Sequence, residues 1–155
     1  MSMVLTTDPH ATDGRALIAA GALLALLAVG AGAFAAHGLR ARLAPDALAI
    51  FETAARYQMY HALALLGAGT AAPRLRRGAL LAAAMLFVIG TVLFSGSLYA
   101  LALGAPRTLG IVTPFGGSAW LLGWLLLALA ALGRRPGSDL RAASAGPNRS
   151  NEETR

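Results

Sequence analysis

Cysteine is absent from all 155 residues of the chain. This absence excludes a disulfide bond, a thiolate metal centre and a thiol nucleophile, and it leaves the redox compartment undetermined. Lysine is absent as well, so the thirteen basic residues are all arginine, a bias to which we attach no function. Thiol chemistry is therefore excluded outright.

Charge is also scarce, at 13% of residues against 57% hydrophobic residues. A soluble surface needs more polar residues than this, so the composition predicts a membrane protein. The net charge of +6 would suit nucleic acid, but the arginines cluster beside apolar runs rather than on a soluble face. That placement favours anionic lipid head groups and topology signals, and no nucleic-acid partner is predicted.

Three apolar runs are long enough to cross a bilayer. The first, Ala16 to Ala36, is uncharged, and about 20 helical residues span a hydrocarbon core of ~30 Å. A cleaved secretory signal is the alternative for this run, because small-residue triplets near its end resemble a cleavage site, but its length and acidic flank favour retention. The third run of the chain covers Gly78 to Leu103, and Thr113-Pro114 predicts the start of a fourth helix ending near Leu132.

The second span differs, because its purely apolar part, Ala62 to Ala72, reaches only about 16 Å at the α-helical rise. Pro45 and Asp46 suit the first turn of a longer helix, and Pro73 suits its stop. To cross the membrane, this helix must borrow polar residues upstream of Ala62. We therefore expect those residues in the interfacial quarter of the bilayer.

The predicted fold is all-α: a polytopic membrane four-helix bundle. Its domain covers residues 15–133, with helices at about 16–36, 45–72, 78–103 and 114–132, between a disordered lead (1–14) and a disordered tail (134–155). Four spans put both termini on one side, and the arginine bias predicts that this side is the cytoplasm. The expected contacts of anionic lipid head groups on that side are Arg74, Arg76, Arg77, Arg134 and Arg135.

Alternating spans also bring polar residues from all four helices to the opposite leaflet. This candidate cluster comprises His37, Glu52, Arg56, Tyr57, Tyr60, His61, Ser95 and Ser97, with Tyr99 and Thr113 beside it. One interpretation is structural, with aromatic anchors, snorkelling arginine and interhelical hydrogen bonds. Another is a binding or proton-handling site, because ionisable groups in spans are costly. A zinc centre is a third interpretation, which the small number of ligands disfavours; no metal or cofactor is predicted.

Four strings of the sequence carry a resemblance to a known family. They are "GAFAAHGL" from Gly32, "IFETAARYQMYHALALL" from Ile50, "LFSGSLYALAL" from Leu93 and "TPFGGSAWLLGWLLLAL" from Thr113. In this order and spacing they resemble the YgdD family, small bacterial inner-membrane proteins of the domain-of-unknown-function 423 type. The resemblance covers roughly Ala16 to Leu132. It implies a four-helix integral membrane fold with the first helix retained, and it implies no activity.

Together these observations predict a multi-pass protein of the bacterial inner membrane that is not an enzyme. We expect a membrane component that acts through lipid or protein contacts, with the lipid bilayer, a second copy of the chain or another membrane protein as partners. The alternative is a small oligomeric transporter or channel with a polar site at the outer leaflet. The lack of acidic residues in the apolar runs weakens that alternative.

Overall fold

The computed structural model describes residues 9–132, and all regular structure within them is helical. In chain order the helices are α1 (Pro9–Phe34), α2 (Pro45–Ala71), α3 (Arg77–Gly90), α4 (Gly96–Ala102) and α5 (Thr113–Leu132). Two π-helical turns extend or join them: Ala35–Leu39 continues α1, and Thr91–Ser95 links α3 directly to α4. Short 3₁₀ turns, Ala72–Arg74 and Arg107–Ile111, precede α3 and α5.

The first helix begins earlier than the sequence predicts. Residues 9–14, assigned to a disordered lead, form the first turns of α1, starting at Pro9. Proline suits a helix start because its missing N–H needs no partner there. Asp13 in this segment forms an ion pair with Arg77 at the start of α3, which ties the extended end of α1 to the next helix pair. Residues 1–8 and the predicted tail, 134–155, lie outside the described residues.

Helices α1 and α2 pack antiparallel at very short range. A Cβ added to Gly21 would come within 2.8 Å of the Ala62 carbonyl oxygen, so glycine is required for this approach of the two backbones. Further along, the Gln58 side chain reaches the Leu24 carbonyl, and Ala55 lies opposite Ala28 in the same groove. The two helices therefore run side by side over most of their length.

The continuous segment of α3 and α4 packs against α5 as a second antiparallel pair. At one end the Arg76 amide donates to the Ala130 carbonyl at 3.2 Å. At the other end the hydroxyls of Ser97 and Thr113 are 2.7 Å apart. Because Asp13 pairs with Arg77 beside Arg76, the start of α1 and the end of α5 lie at the same end of the assembly.

Three segments of the described chain are long and apolar enough to cross a membrane: Asp13–Leu39, Arg77–Ala102 and Arg107–Leu132. α2 is less apolar, but its 27 residues extend about 40 Å alongside α1. Leucines on the outer face of α1 are largely exposed, for example Leu26 at 67%, as a lipid-facing helix requires. The protein is thus a polytopic helical membrane protein.

Candidate functional site

The polar residues of the candidate cluster lie mainly on α2, the helix that contacts all the others. One face of α2 packs against α1 and another against α3 and α4, while its aromatic side chains reach α5. Polar groups on the inner faces must find hydrogen-bond partners inside the protein, because the hydrocarbon offers none. Each inner group below has such a partner.

Gln58 joins three helices through its side-chain amide. It is only 5% exposed; its Nε2 donates to the Leu24 carbonyl on α1 at 2.9 Å, and its Oε1 accepts from the Tyr99 hydroxyl on α4 at 3.1 Å. The Tyr99 ring also packs on Phe51, with ring centroids 4.7 Å apart. The amide thus acts as an interhelical link in the way that polar side chains do in membrane bundles.

Three hydroxyl groups, those of Thr91, Ser95 and Ser97, lie in the π turn between α3 and α4 or just after it. Ser95 is fully buried and donates to the Ala54 carbonyl of α2 at 3.0 Å. Ser97 shares its hydrogen bond with Thr113, the first residue of α5. Thr91 donates to the carbonyl of Phe87 one turn earlier, at 2.8 Å. Ser95 and Tyr99 therefore contact α2, and Ser97 contacts Thr113.

His61 is buried, and both of its ring nitrogens have partners. Nδ1 lies 2.8 Å from the Tyr57 carbonyl, and Nε2 accepts from the Trp124 indole N–H at 3.3 Å. This pair of contacts requires the neutral tautomer with its proton on Nδ1. The imidazole also stacks on Trp120, with ring centroids 3.8 Å apart and planes 4° apart. In this arrangement both ring nitrogens are occupied by hydrogen bonds within the protein.

The rings around His61 continue as an aromatic cluster between α2, α3 and α5. Trp120 stacks with Tyr57 at 5.8 Å and contacts Phe94 at 4.6 Å, while its indole N–H donates to the Phe87 carbonyl at 3.2 Å. Phe87 in turn meets Trp124 edge-on at 5.0 Å. Such ring contacts contribute beyond the area they bury, so this cluster is a main tie between α2 and α5.

His37 does not join this cluster. It is exposed on the π turn at the end of α1. His61, on α2, lies at the level of Gly21 of α1. Sixteen residues separate these levels, or roughly 24 Å at the helical rise. The expectation that His37 and His61 lie together at one rim is therefore wrong. His61 lies about 24 Å from the start of α2 and 15 Å from its end, well inside the bundle.

Of the remaining candidates, Glu52, Arg56 and Tyr60 are exposed on the outer face of α2, whereas Tyr57 is partly exposed at the edge of the aromatic cluster. Glu52, Arg56 and Tyr60 line a groove of about 380 Å³ between α2 and α1, whose α1 wall is made of Ala28 and Gly32. Tyr60 is 51% exposed and contacts the Tyr57 ring. The cluster predicted from the sequence therefore divides into an inner set with partners and an outer set facing the membrane.

Sequence reasoning missed the two tryptophans as partners of His61. Their i, i+4 spacing on α5 shows that they share a face, but it does not show which helix that face meets. Among the described residues, no three His, Asp or Glu side chains lie close enough to hold a metal ion. Arg74, Arg76 and Arg77 are exposed at the end where α2 meets α3; Arg134 and Arg135 lie outside the described residues.

The family model and the relatives that match the chain indicate one family of membrane proteins. Residues 31–117 match a family described as "Protein of unknown function (DUF423)". The chain belongs to this family. The matched region includes α2, the π turn Thr91–Ser95 and the start of α5, which carry the polar contacts described above. No solved structure matches the chain.

Curated relatives of the chain are called UPF0382 membrane proteins. One from Staphylococcus epidermidis is 47% identical over 118 residues, which cover 76% of this chain and 96% of the relative. YwdK of Bacillus subtilis is 42% identical over 119 residues, covering 76% and 97%. One from Haemophilus influenzae is 44% identical over 107 residues, covering 69% and 86%. These relatives and the apolar helices identify a membrane protein of a family without an assigned activity.

Proposed function

We propose that the protein is a non-enzymatic component of the bacterial inner membrane that acts through contacts with lipid and with other membrane proteins. The observation that carries this proposal is the division of its polar side chains. Gln58, His61 and Ser95 hold the helices together through hydrogen bonds within the bundle. The charged groups, Glu52 and Arg56, lie instead on the outer face of α2, where they contact whatever surrounds the protein.

The distribution of these groups along α2 favours this proposal over a transporter or channel. The exposed charges lie toward the start of the helix. The exposed positions beyond His61 are Leu63, Gly67 and Thr70, and the one polar group among them, the Thr70 hydroxyl near the end of α2, donates to the Gly67 carbonyl. A conduction pathway needs polar groups or water through the whole hydrocarbon layer. The outer face of α2 offers them over one half only.

Reconstitution separates the two functions. Full-length protein in sealed vesicles is expected to give proton, sodium, potassium and chloride fluxes equal to those of empty vesicles. Deletion of the gene is expected to weaken envelope integrity, measured as increased entry of a small dye, with recovery by the intact gene. A flux abolished by Arg56→Gln would overturn the proposal, as would an unaltered envelope together with a pull-down that recovers no membrane protein.

The proposal includes an inner-membrane location with both termini in the cytoplasm. The exposed Arg74, Arg76 and Arg77 support it, since arginine collects on the cytoplasmic side. Because the chain has no cysteine, single cysteines at Gly78 and Ala44 can be labelled without background. An impermeant maleimide applied to intact spheroplasts is expected to label Ala44→Cys and spare Gly78→Cys. The reverse pattern would contradict the orientation.

A further inference from the structure

The groove between α1 and α2 presents one acidic and one basic side chain to the membrane. Glu52 and Arg56 are four residues apart on α2, so they lie on one face about 6 Å apart at Cβ. Both are exposed, and within the described part of the chain neither forms an ion pair or a hydrogen bond. Charged groups on a spanning helix are costly unless a partner or head group meets them.

The structure also gives the depth of this pair. Ser95 donates to the Ala54 carbonyl on α2, and Ser97, two residues further along the chain, bonds Thr113. α2 runs antiparallel to the segment that carries these serines. Glu52, two residues before Ala54, therefore lies at the level of Thr113. Thr113 begins α5, whose 20 residues extend about 30 Å, the thickness of the hydrocarbon layer. Glu52 therefore lies at the boundary between hydrocarbon and head groups, and Arg56 lies about 6 Å deeper.

Side-chain direction brings Arg56 up to the same boundary. Side chains on an α-helix tilt toward its N-terminus, and the N-terminus of α2 is the end nearest this boundary. Arg56 and Tyr60 therefore both lean toward the level of Glu52. Beside them, at the same levels, the groove is walled by Met59, Ala55 and the small residues of α1, which suits a hydrocarbon chain.

We propose that this groove binds a phospholipid whose head group carries both a phosphate and a primary ammonium, as phosphatidylethanolamine does. Arg56, assisted by the Tyr60 hydroxyl, holds the phosphate, and Glu52 accepts from the ammonium. One acyl chain lies along the groove between α1 and α2. A head group with charges of both signs matches a face with charges of both signs, at the depth where head groups reside. The proposal specifies the lipid contact within the proposed function.

Native mass spectrometry of the full chain in mild detergent tests the proposal. Phosphatidylethanolamine, phosphatidylcholine and phosphatidylglycerol with the same acyl chains are added in turn. The ethanolamine lipid is expected to bind about tenfold more tightly than the other two, the effect of one charge-assisted hydrogen bond from its ammonium. Phosphatidylcholine is the informative comparison, because its quaternary ammonium has the charge but cannot donate.

Two variants separate the roles of the charged side chains. Glu52→Gln is expected to lower the ethanolamine-to-choline preference from about tenfold to about threefold while retaining phosphate binding, because the neutral amide oxygen accepts a weaker hydrogen bond from the ammonium. Arg56→Gln is expected to weaken all three lipids by about tenfold, because the phosphate is common to them. Arg40→Gln is the matched control, since it removes an exposed arginine beyond the end of α1 without touching the groove. Tryptophan fluorescence verifies that each variant is folded.

Equal binding of the three lipids, or wild-type binding by both variants, would overturn the proposal. A dimer in the spectrum would also overturn the proposal if Glu52→Arg abolishes it and the double exchange, Glu52→Arg with Arg56→Glu, restores it. A second copy of the chain would then cover this face. A flux in proteoliposomes would refute the proposed function without altering the lipid preferences, so the two failures are distinguishable.

Discussion

The hydrogen bond from Tyr99 to Gln58 provides a quantitative test of how the bundle is held together. Tyr99→Phe removes only the hydroxyl, since the ring keeps its contact with Phe51. Interhelical hydrogen bonds in membrane proteins contribute on average about 0.6 kcal/mol and at most about 1.7 kcal/mol. We therefore expect Tyr99→Phe to lower the free energy of unfolding by roughly 0.6 kcal/mol.

Gln58→Leu should cost more, because it removes two hydrogen bonds and leaves the Tyr99 hydroxyl without a partner. The expected loss is about 1–3 kcal/mol. In the double variant the Tyr99 change should cost little, because its acceptor is already gone. The coupling energy of the cycle then reports the interaction itself.

Unfolding in mixed micelles of mild detergent and dodecyl sulfate, followed by tryptophan fluorescence, measures these differences. Trp120 is a suitable probe, because it is buried between α2 and α5. Tyr60→Phe is the matched control, since the Tyr60 side chain is half exposed in the outer groove. If Tyr99→Phe behaves like Tyr60→Phe and the coupling energy is zero within error, the amide does not link the helices and the reasoning is refuted.

Two further predictions concern helix contacts elsewhere. Gly116→Ala is expected to lower the free energy of unfolding by roughly 1–3 kcal/mol more than Gly117→Ala. A Cβ at Gly116 would come 2.4 Å from the Phe94 backbone nitrogen, whereas a Cβ at Gly117 would meet the Phe94 side chain at 3.9 Å. The same unfolding assay measures both, and equal stabilities would contradict the observed approach of α5 to the π turn. Arg77→Gln breaks the exposed ion pair with Asp13 and should lower the free energy of unfolding only slightly, because water and salt screen such a pair. A larger loss, persisting at high salt, would contradict its assignment as a surface pair.

The helices and some of their contacts could be predicted from sequence, because run lengths and alternation of spans determine them. The start of α2 follows from the preference of proline for a first helical turn at Pro45, and the placement of Ser97 and Thr113 at the same end follows from the alternation of spans. Run lengths and the alternation of spans determine which helix ends lie together. They do not determine the rotation of a helix about its own axis, so the face of α2 that meets each neighbour stays open.

His61 illustrates what that limitation costs. The short apolar run of α2 predicts that His61 lies at the rim, although interhelical hydrogen bonding is one interpretation of the polar cluster. The structure accommodates His61 by a second route, in which Trp124, 63 residues away, supplies the donor. Internal hydrogen bonding and interfacial placement both satisfy a polar side chain. Only packing decides between them.

The two routes also explain why the polar residues of one helix have different consequences for function. Gln58 and His61 have their hydrogen-bonding groups occupied by other helices, so changing them should alter stability first and any activity only through it. Glu52 and Arg56 contribute nothing comparable to packing, since both side chains are exposed. Changing them should leave the fold intact and alter what the protein binds. A variant of Glu52 or Arg56 that unfolds the bundle, or a variant of Gln58 that changes lipid preference at full stability, would contradict this division.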